Sequence, residues 1–518
     1  MVVASYQLMA NRGALALRQG RSGLLAGVVL LCATGCANLA GTGQDARYGL
    51  SGPDEVRASL DLPTGWQAGD DAALAGEALA ARLPLTNWVE GFDDARLEAF
   101  VADVLDRNAD IGVAFANLEA SAAGLRISRA SRLPVIGYSA DVNRTERALD
   151  PFVDLPDGAD SDTTSLSAAL SGSWEADIWG RIGDRIRASS LDVAASEFEL
   201  AAIRLSIAGL AVRTYFQAVE AEQLVALSDS AVEARQRAVT LTERRYTSGV
   251  VGRSDVSLAR SQLASARALR FERIRARDEA VRRLEVFMRR YPGAEFAVAS
   301  AFPELNELPG VIGPDSMLAR RPDLLARDAR LAAQGVEVAI ARKALLPRLS
   351  LQASGASGAG SLRRLFDVES LVGTLASNLA GPIFQGGRLR ADIDLQKALS
   401  RRLAEDYVGA TLTALREVED SLAADRYLLL TLRELEGALD EAREAEQRLE
   451  RRYEEGLATI LQLLDAQSRR LLAEEQLISA TSRRLDVRTQ LYVALGGEAL
   501  GLGTEGEQVA TAGAASDS

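Results

Sequence analysis

The chain has 518 residues, a net charge of −13 and only 5% aromatic residues. Ala, Leu, Arg and Glu dominate, the composition of long helices packed on helices. It contains no histidine, which disfavours a hydrolase built on the commonest metal ligand and neutral-pH proton carrier. No basic cluster stands out, so neither phosphate groups nor nucleic acid are expected partners.

The N-terminus reads as a targeting segment. Arg12, Arg18 and Arg21 precede the apolar run Leu24-Leu25-Ala26-Gly27-Val28-Val29-Leu30-Leu31, which is too short to span a bilayer. Ala33, Thr34 and Gly35 then lead to Cys36. This resembles a bacterial lipobox, with Ala33 where the pattern prefers Leu. It implies a signal at 1–35, lipidation of Cys36 and an extended arm over 36–90. The alternative is an ordinary secretory signal with an incidental cysteine. Cys32 would leave with the signal, so no intramolecular disulfide is expected. Ala37 follows, and without an Asp there the lipoprotein is not expected to stay at the inner membrane. No later stretch has the uninterrupted apolar length of a spanning helix, so any crossing of a membrane must use a closed barrel.

The body of the chain is an internal duplication. Asp110 and Pro134 match Asp323 and Pro347, both 213 residues apart. Gly180-Arg181, Arg245-Tyr246 and Gly249 match Gly387-Arg388, Arg452-Tyr453 and Gly456, all 207 apart. The copies are placed at 91–292 and 317–497, joined by a loop at 293–316 and followed by a disordered tail at 498–518. Each reads as helix, two strands, very long helix, turn, helix. From Ser165 to Ile178, Leu166, Leu170, Trp174 and Ile178 alternate with Ser165, Ser171 and Asp177. Leu349, Leu351 and Ala353 alternate in the same way with Arg348, Ser350 and Gln352. Weaker strands fall at about 133–146 and 369–383. A period of two with one weakly apolar face suits a barrel strand, although an ordinary soluble sheet shows the same pattern. Trp174, Trp179 and Phe384 are candidates for the membrane interfaces. Four strands are too few to close a lumen, so several protomers must contribute.

Two proline-free stretches, 187–247 and 388–455, could each run about 90 Å as helix, far beyond a bilayer and hence into an aqueous compartment. Val408, Leu415, Leu422 and Leu429 recur every seven residues, as do Leu457, Leu464, Leu471, Ile478 and Leu485. Such stripes are core for knobs-into-holes packing. Gly249 and Gly456 mark the turns where the long helices reverse.

Several stretches in order carry a family resemblance over about residues 80 to 497. They are Trp174-Glu175-Ala176-Asp177-Ile178-Trp179-Gly180-Arg181, Leu318-Ala319-Arg320-Arg321-Pro322-Asp323-Leu324, Ala341 to Leu351, Pro382 to Leu389 and Leu463-Leu464-Asp465-Ala466-Gln467. The chain resembles the TolC-like outer-membrane factor lipoproteins of tripartite efflux pumps, in the branch serving resistance-nodulation-division transporters. That resemblance implies a homotrimer in the outer membrane. Three protomers with four strands each would form a twelve-stranded barrel, continued by a periplasmic α-helical barrel. It implies passive export of small molecules without cofactors or covalent chemistry, a periplasmic adaptor and an inner-membrane transporter. Leu461 and Asp465 match the family's gate positions. They lie four apart on one helical face, and three copies around an axis would give an apolar ring and a carboxylate ring. The bland alternative pairs Asp465 with Arg469 on its own helix. Tyr453 matches a residue that ties inner helices to outer ones. Ala458 and Gln462 stand where some members carry Arg and Asp, which puts a Tyr–Arg latch in doubt. Gly249-Val250-Val251-Gly252 and Gly456-Leu457-Ala458-Thr459 would be tips approached by the adaptor; the alternative is that glycine merely permits the turn. A duct for secreted protein and a lipid-anchored periplasmic coiled-coil scaffold are the competing readings. An enzyme is least supported, because no nucleophile–base arrangement can be assembled.

Overall fold

A computed structural model describes residues 65–68, 87–146, 162–305 and 312–497. Cys36, the signal 1–35 and the tail 498–518 lie outside the described residues. After a short 3-10 turn at Trp88–Phe92, the first copy contains α1 (Ala95–Arg107), α2 (Ala109–Ala130), β1 (Val135–Glu146), β2 (Asp162–Ala176), α3 (Arg181–Thr247) and α4 (Arg253–Phe287). The second repeats it as α5 (Pro314–Leu318), α6 (Pro322–Lys343), β3 (Arg348–Ala359), β4 (Leu371–Ala380), α7 (Arg388–Glu454) and α8 (Ile460–Ala494). The long helices α3 and α7 both have 67 residues, and α4 and α8 both have 35. At 1.5 Å per residue the long pair reaches about 100 Å.

The single opening helix expected in each copy is two helices. In the first copy, Asn108 ends α1 and caps α2, its Oδ1 accepting from Asp110 N at 2.9 Å and Ile111 N at 3.4 Å. In the second, Pro322 opens α6 as its first residue, where the missing N–H costs nothing. The break serves one purpose in both. Asn108 Nδ2 donates to Phe287 O at 3.3 Å, and Arg321 Nη1 donates to Ala494 O at 3.2 Å. Donors 213 residues apart thus meet carbonyls 207 apart, so each copy pins the end of its last helix to the start of its second in the same way. Arg321 also grips Asp323 at 3.0 Å and Glu417 at 2.8 Å, which gives the Arg-Arg-Pro-Asp stretch a physical role.

The strands form one antiparallel sheet in the order β1-β2-β3-β4. Its register sorts the side chains by face. Ile136, Tyr138, Val142, Leu166, Leu170, Trp174, Leu351, Leu375 and Leu379 share one face. Ser139, Asp141, Asn143, Ser167, Ser171, Gln352, Thr374 and Asn378 share the other. Among the described residues no α-helix is packed across either face, and only the short 3-10 turns at Arg364–Phe366 and Val368–Ser370 touch β2 and β3; Ile136, Leu170 and Leu375 are 70%, 59% and 84% exposed. Every residue of the two edge strands β1 and β4 is exposed. Trp174 and Trp179 lie where the sheet meets the helices; each ring is part-exposed while its Nε1 donates to a carbonyl, Arg132 O at 2.9 Å and Pro347 O at 2.6 Å.

The helices follow the strand order. Near the sheet the layer runs α2, α3, α6, α7; towards the far turns it runs α4, α3, α8, α7. The main core sits between, where Trp88 stacks on Tyr492 at 5.5 Å and Phe92 meets Phe216 edge-on at 5.2 Å. Residues 65–68 dock there: Trp66 Nε1 donates to Ile312 O at 2.8 Å, and the N–H groups of Gln67 and Ala68 donate to Glu419. Glu285 accepts from Ala294, Glu295 and Phe296 N, so the joining segment after α4 is strapped to the core.

The leucine stripes are only partly core within one chain. Leu422, Leu464 and Leu485 are buried, Leu415, Leu429, Leu471 and Ile478 are half-buried, and Leu457 is 65% exposed. Leu457 departs because the turn begins at Gly456, so the helical phase that would bury it has ended.

Leu170→Arg places a charge on the apolar face, at a cost of about 2–4 kcal/mol in a lipid-facing site. It is expected to lower the fraction of protein recovered in outer-membrane preparations, whereas Ser171→Arg on the polar face leaves that fraction unchanged. Equal recovery of the two variants would contradict the assignment of faces.

Candidate functional site

The two helical turns lie side by side at the end farthest from the sheet. At the first, Gly249 has φ +76°, and Gly249 N and Val250 N donate back to Tyr246 O and Arg245 O, both at 2.9 Å. At the second, Gly456 has φ +83°, with Gly456 N and Leu457 N donating to Tyr453 O and Arg452 O. Both are left-handed closures of a helix that glycine enters without a Cβ penalty. Val250 and Leu457 stand exposed at the two tips, with Gly252 exposed and Val251 half-buried beside them.

The restarts differ. Thr459 caps α8 in a reciprocal box: Gln462 N donates to Thr459 Oγ1 at 3.3 Å, and Thr459 N donates to Gln462 Oε1 at 2.9 Å. Gln462 is therefore committed to the cap. Gly252 opens α4 with no side-chain cap. Ala458, 9% exposed, is packed with Tyr453, Ile460, Leu463, Ala238 and Leu263 in a small core of its own.

Tyr453 is the centre of that core. It is fully buried, its hydroxyl shares a 2.8 Å hydrogen bond with Thr242 Oγ1, and Arg245 lies over its ring at 4.5 Å. Arg245 Nη1 also donates to Tyr453 O at 2.5 Å. A tyrosine–arginine link thus exists, with the arginine supplied by α3 rather than by position 458. Tyr246, the counterpart of Tyr453 in the first copy, is 44% exposed. The tie runs one way, from the second copy into the first.

One helical stretch further along, Arg235 is 5% exposed and reaches from α3 to α8. Its guanidinium donates to Leu464 O at 3.1 Å, Gln467 Oε1 at 2.8 Å and Ser468 Oγ at 2.7 Å. Burial pushes its pKa down, with Glu446 opposing and Arg470 assisting. Sequence reasoning missed Arg235, Thr242 and Arg245. The signal was present: Ala231, Arg235, Ala238, Val239 and Thr242 share helical spacing, and a charge within such a stripe needs a buried partner.

Leu461 and Asp465 lie on the opposite side of α8. Leu461 is 66% exposed. Asp465 accepts from Arg469 Nε at 2.8 Å, with both side chains well exposed. A pair so exposed is screened by solvent, so it restrains neither partner strongly.

Comparison with known proteins decides the family. A model described as Outer membrane efflux protein matches residues 101–288 and 313–497. The pyoverdine export outer membrane protein OpmQ of Pseudomonas putida is 30% identical over 454 residues, 86% of this chain and 94% of that protein. The chain belongs to the outer membrane efflux protein family. Outer membrane protein OprJ of Pseudomonas aeruginosa is likewise 30% identical, over 82% of this chain and 88% of its own. Among solved structures, the outer-membrane channel OprN is similar at TM-score 0.72 and 26% identity, over 86% of this chain and 99% of that one. The Campylobacter jejuni CmeC channel shares the fold at TM-score 0.75 and 23% identity, over 88% and 93%. This TolC-like protein is therefore an outer-membrane efflux component, with its sheet in the membrane and its helices in the periplasm.

Tyr453→Phe removes one hydrogen bond between α7 and α3 and is expected to loosen the tip by about 1 kcal/mol. Amide exchange in the segment around the second turn should quicken about fivefold, with the core near Trp88 unaffected. Unchanged exchange would show that the tie does not hold the tip.

Proposed function

We propose that three copies close edge to edge, β4 of one against β1 of the next, into an exit duct for small molecules. The observation that carries this reading is the pair of bare edges flanking a sheet whose apolar face no described helix covers. In lipid, unpaired backbone groups and an open sheet edge are untenable. The helical layer ends on the same two sides, α7 on one and α2 and α4 on the other, so the same operation closes a second barrel below the first. The polar face then lines a twelve-stranded lumen. Cys36 carries the acyl anchor once the signal 1–35 is removed, the arm 36–90 leads to the body, and the two copies 91–292 and 317–497 are joined by 293–316.

At the far end, Leu461 and Asp465 of three copies face the axis as successive apolar and carboxylate rings. The exposed Asp465–Arg469 pair is compatible with this, since a weak surface pair leaves the carboxylate free to reorient. The tips 249–252 and 456–459 receive a periplasmic adaptor that couples the duct to an inner-membrane transporter of the resistance-nodulation-division type. No covalent chemistry is assigned to the chain. Cargo is a class of small organic compounds, supported by relatives named for pyoverdine export and for toluene and solvent efflux. None of these names points to secreted protein, and the uncovered apolar face disfavours a scaffold held by lipid alone.

Leu461→Ala with Asp465→Ala is expected to raise single-channel conductance in planar bilayers; unchanged conductance would remove both from the constriction. Gly252→Trp and Thr459→Trp are expected to abolish crosslinking to the periplasmic adaptor. Retained crosslinking would move the contact away from the tips.

A further inference from the structure

The fold assembles a basic cluster that no stretch of the sequence displays. Where the sheet meets the helices, a groove of about 560 Å³ lies between the starts of α3 and α7 and the end of α6. Arg181, Arg185, Arg348 and Arg388 line it, against Glu337 and Asp392 as the acidic members. Arg181 is matched to Glu175 at 2.7 Å, yet its Nε is buried without a hydrogen-bond partner. Arg185, Arg348 and Arg388 have no carboxylate within ion-pair distance among the described residues. Its apolar lining comes from Ile340 and Ala341, both buried, with Ala344 and the exposed Leu346.

A second, independent feature points the same way. In the first copy, Asp177 closes the N-terminus of α3, accepting from Ile182 N at 2.9 Å and Gly183 N at 2.7 Å. The position 207 residues later is Phe384, which is 87% exposed. The N-terminus of α7, a 67-residue helix, therefore has no side-chain cap. Its positive end opens beside Arg388, whose chain is the first of that helix. The first copy supplies an anion at its helix start, and the second does not.

We infer that this groove is a binding subsite for organic anions, a carboxylate, sulfonate or phosphate attached to an apolar body. Guanidinium forks and an open helix N-terminus take the anion, and Ile340 and Ala341 contact the body. Arg348 lies on the same face as Ser350 and Gln352, so the groove opens towards the polar side of the sheet. This rests on the duct reading, in which that side is the lumen and threefold closure repeats the groove as a collar at the base of the barrel. The anion expected there is cargo in transit; a membrane phosphate is the other source of the same chemistry.

The test is current block of the reconstituted wild-type channel by naphthalene-2-sulfonate, with neutral 2-naphthalenemethanol as the control. The sulfonate should block and the alcohol should not. Arg185→Gln with Arg348→Gln should weaken the block about tenfold, the loss of roughly one charge-assisted contact. Arg185→Lys with Arg348→Lys, which keeps the charge, should retain most of it, and this second pair guards against misfolding. Equal block in the wild type and the Gln variant would overturn the subsite. So would phosphatidylglycerol co-purifying in proportion to these arginines while the sulfonate has no effect, since that assigns the groove to membrane lipid. A chain that forms no conducting pore at all would instead overturn the duct reading, so the two failures are distinguishable.

Discussion

A four-stranded sheet with one apolar face, and with both edge strands fully exposed, cannot rest in lipid by itself. Each bare N–H or C=O at membrane depth costs several kcal/mol, and β1 and β4 present whole rows of them. The strand lengths of 10 to 15 residues suit a tilted crossing of the hydrocarbon layer. The only economical relief is to supply each edge with another chain's edge, and every larger feature of the molecule is arranged to permit this. The helical layer keeps the strand order, so pairing the sheets also aligns the helices.

The duplication explains how so long a layer is specified by so few devices. Asn108 and Arg321 occupy equivalent positions and hold equivalent carbonyls, Phe287 O and Ala494 O. Those pins set the axial registration of the shorter helices against the start of each copy. The two copies differ at the proposed functional positions. Tyr453 is buried under Arg245 while Tyr246 faces solvent. Thr459 caps its helix with Gln462 while Gly252 has no such help. Asp177 fills an N-terminus that stands open beside Phe384. In the proposed threefold assembly such asymmetric pairs would present alternating tips and alternating seams, two distinct surfaces per protomer for the proposed adaptor.

Much of this was legible in the chain because periodicity survives folding. Strands start directly after Pro134 and Pro347 as the pattern predicts, and the long helices begin and end within a few residues of the proline-free stretches. The breaks at Asn108 and before Pro322 were less legible, because an interruption of one to three residues leaves the apolar rhythm undisturbed. The heptad pattern predicts both leucine stripes as core, yet within one chain Val408, Leu415, Leu429, Leu471 and Ile478 are only half-buried. Leu457 escapes burial because the count of seven runs on past a glycine that ends the helix. Arg235 and the cluster around Arg181, Arg185, Arg348 and Arg388 draw on segments separated by up to hundreds of residues, a proximity that only the fold creates. The proposed gate positions Leu461 and Asp465 rest on resemblance alone, since nothing in local chemistry separates an exposed i,i+4 ion pair from a ring around a pore.

The most direct measurement is the mass of the purified protein by native mass spectrometry in neutral detergent. The account predicts a complex of three chains that persists until the sheet is denatured. A single chain, stable and dispersed without detergent, would contradict it, because bare strands and an uncovered apolar surface would then have found some other way to be satisfied.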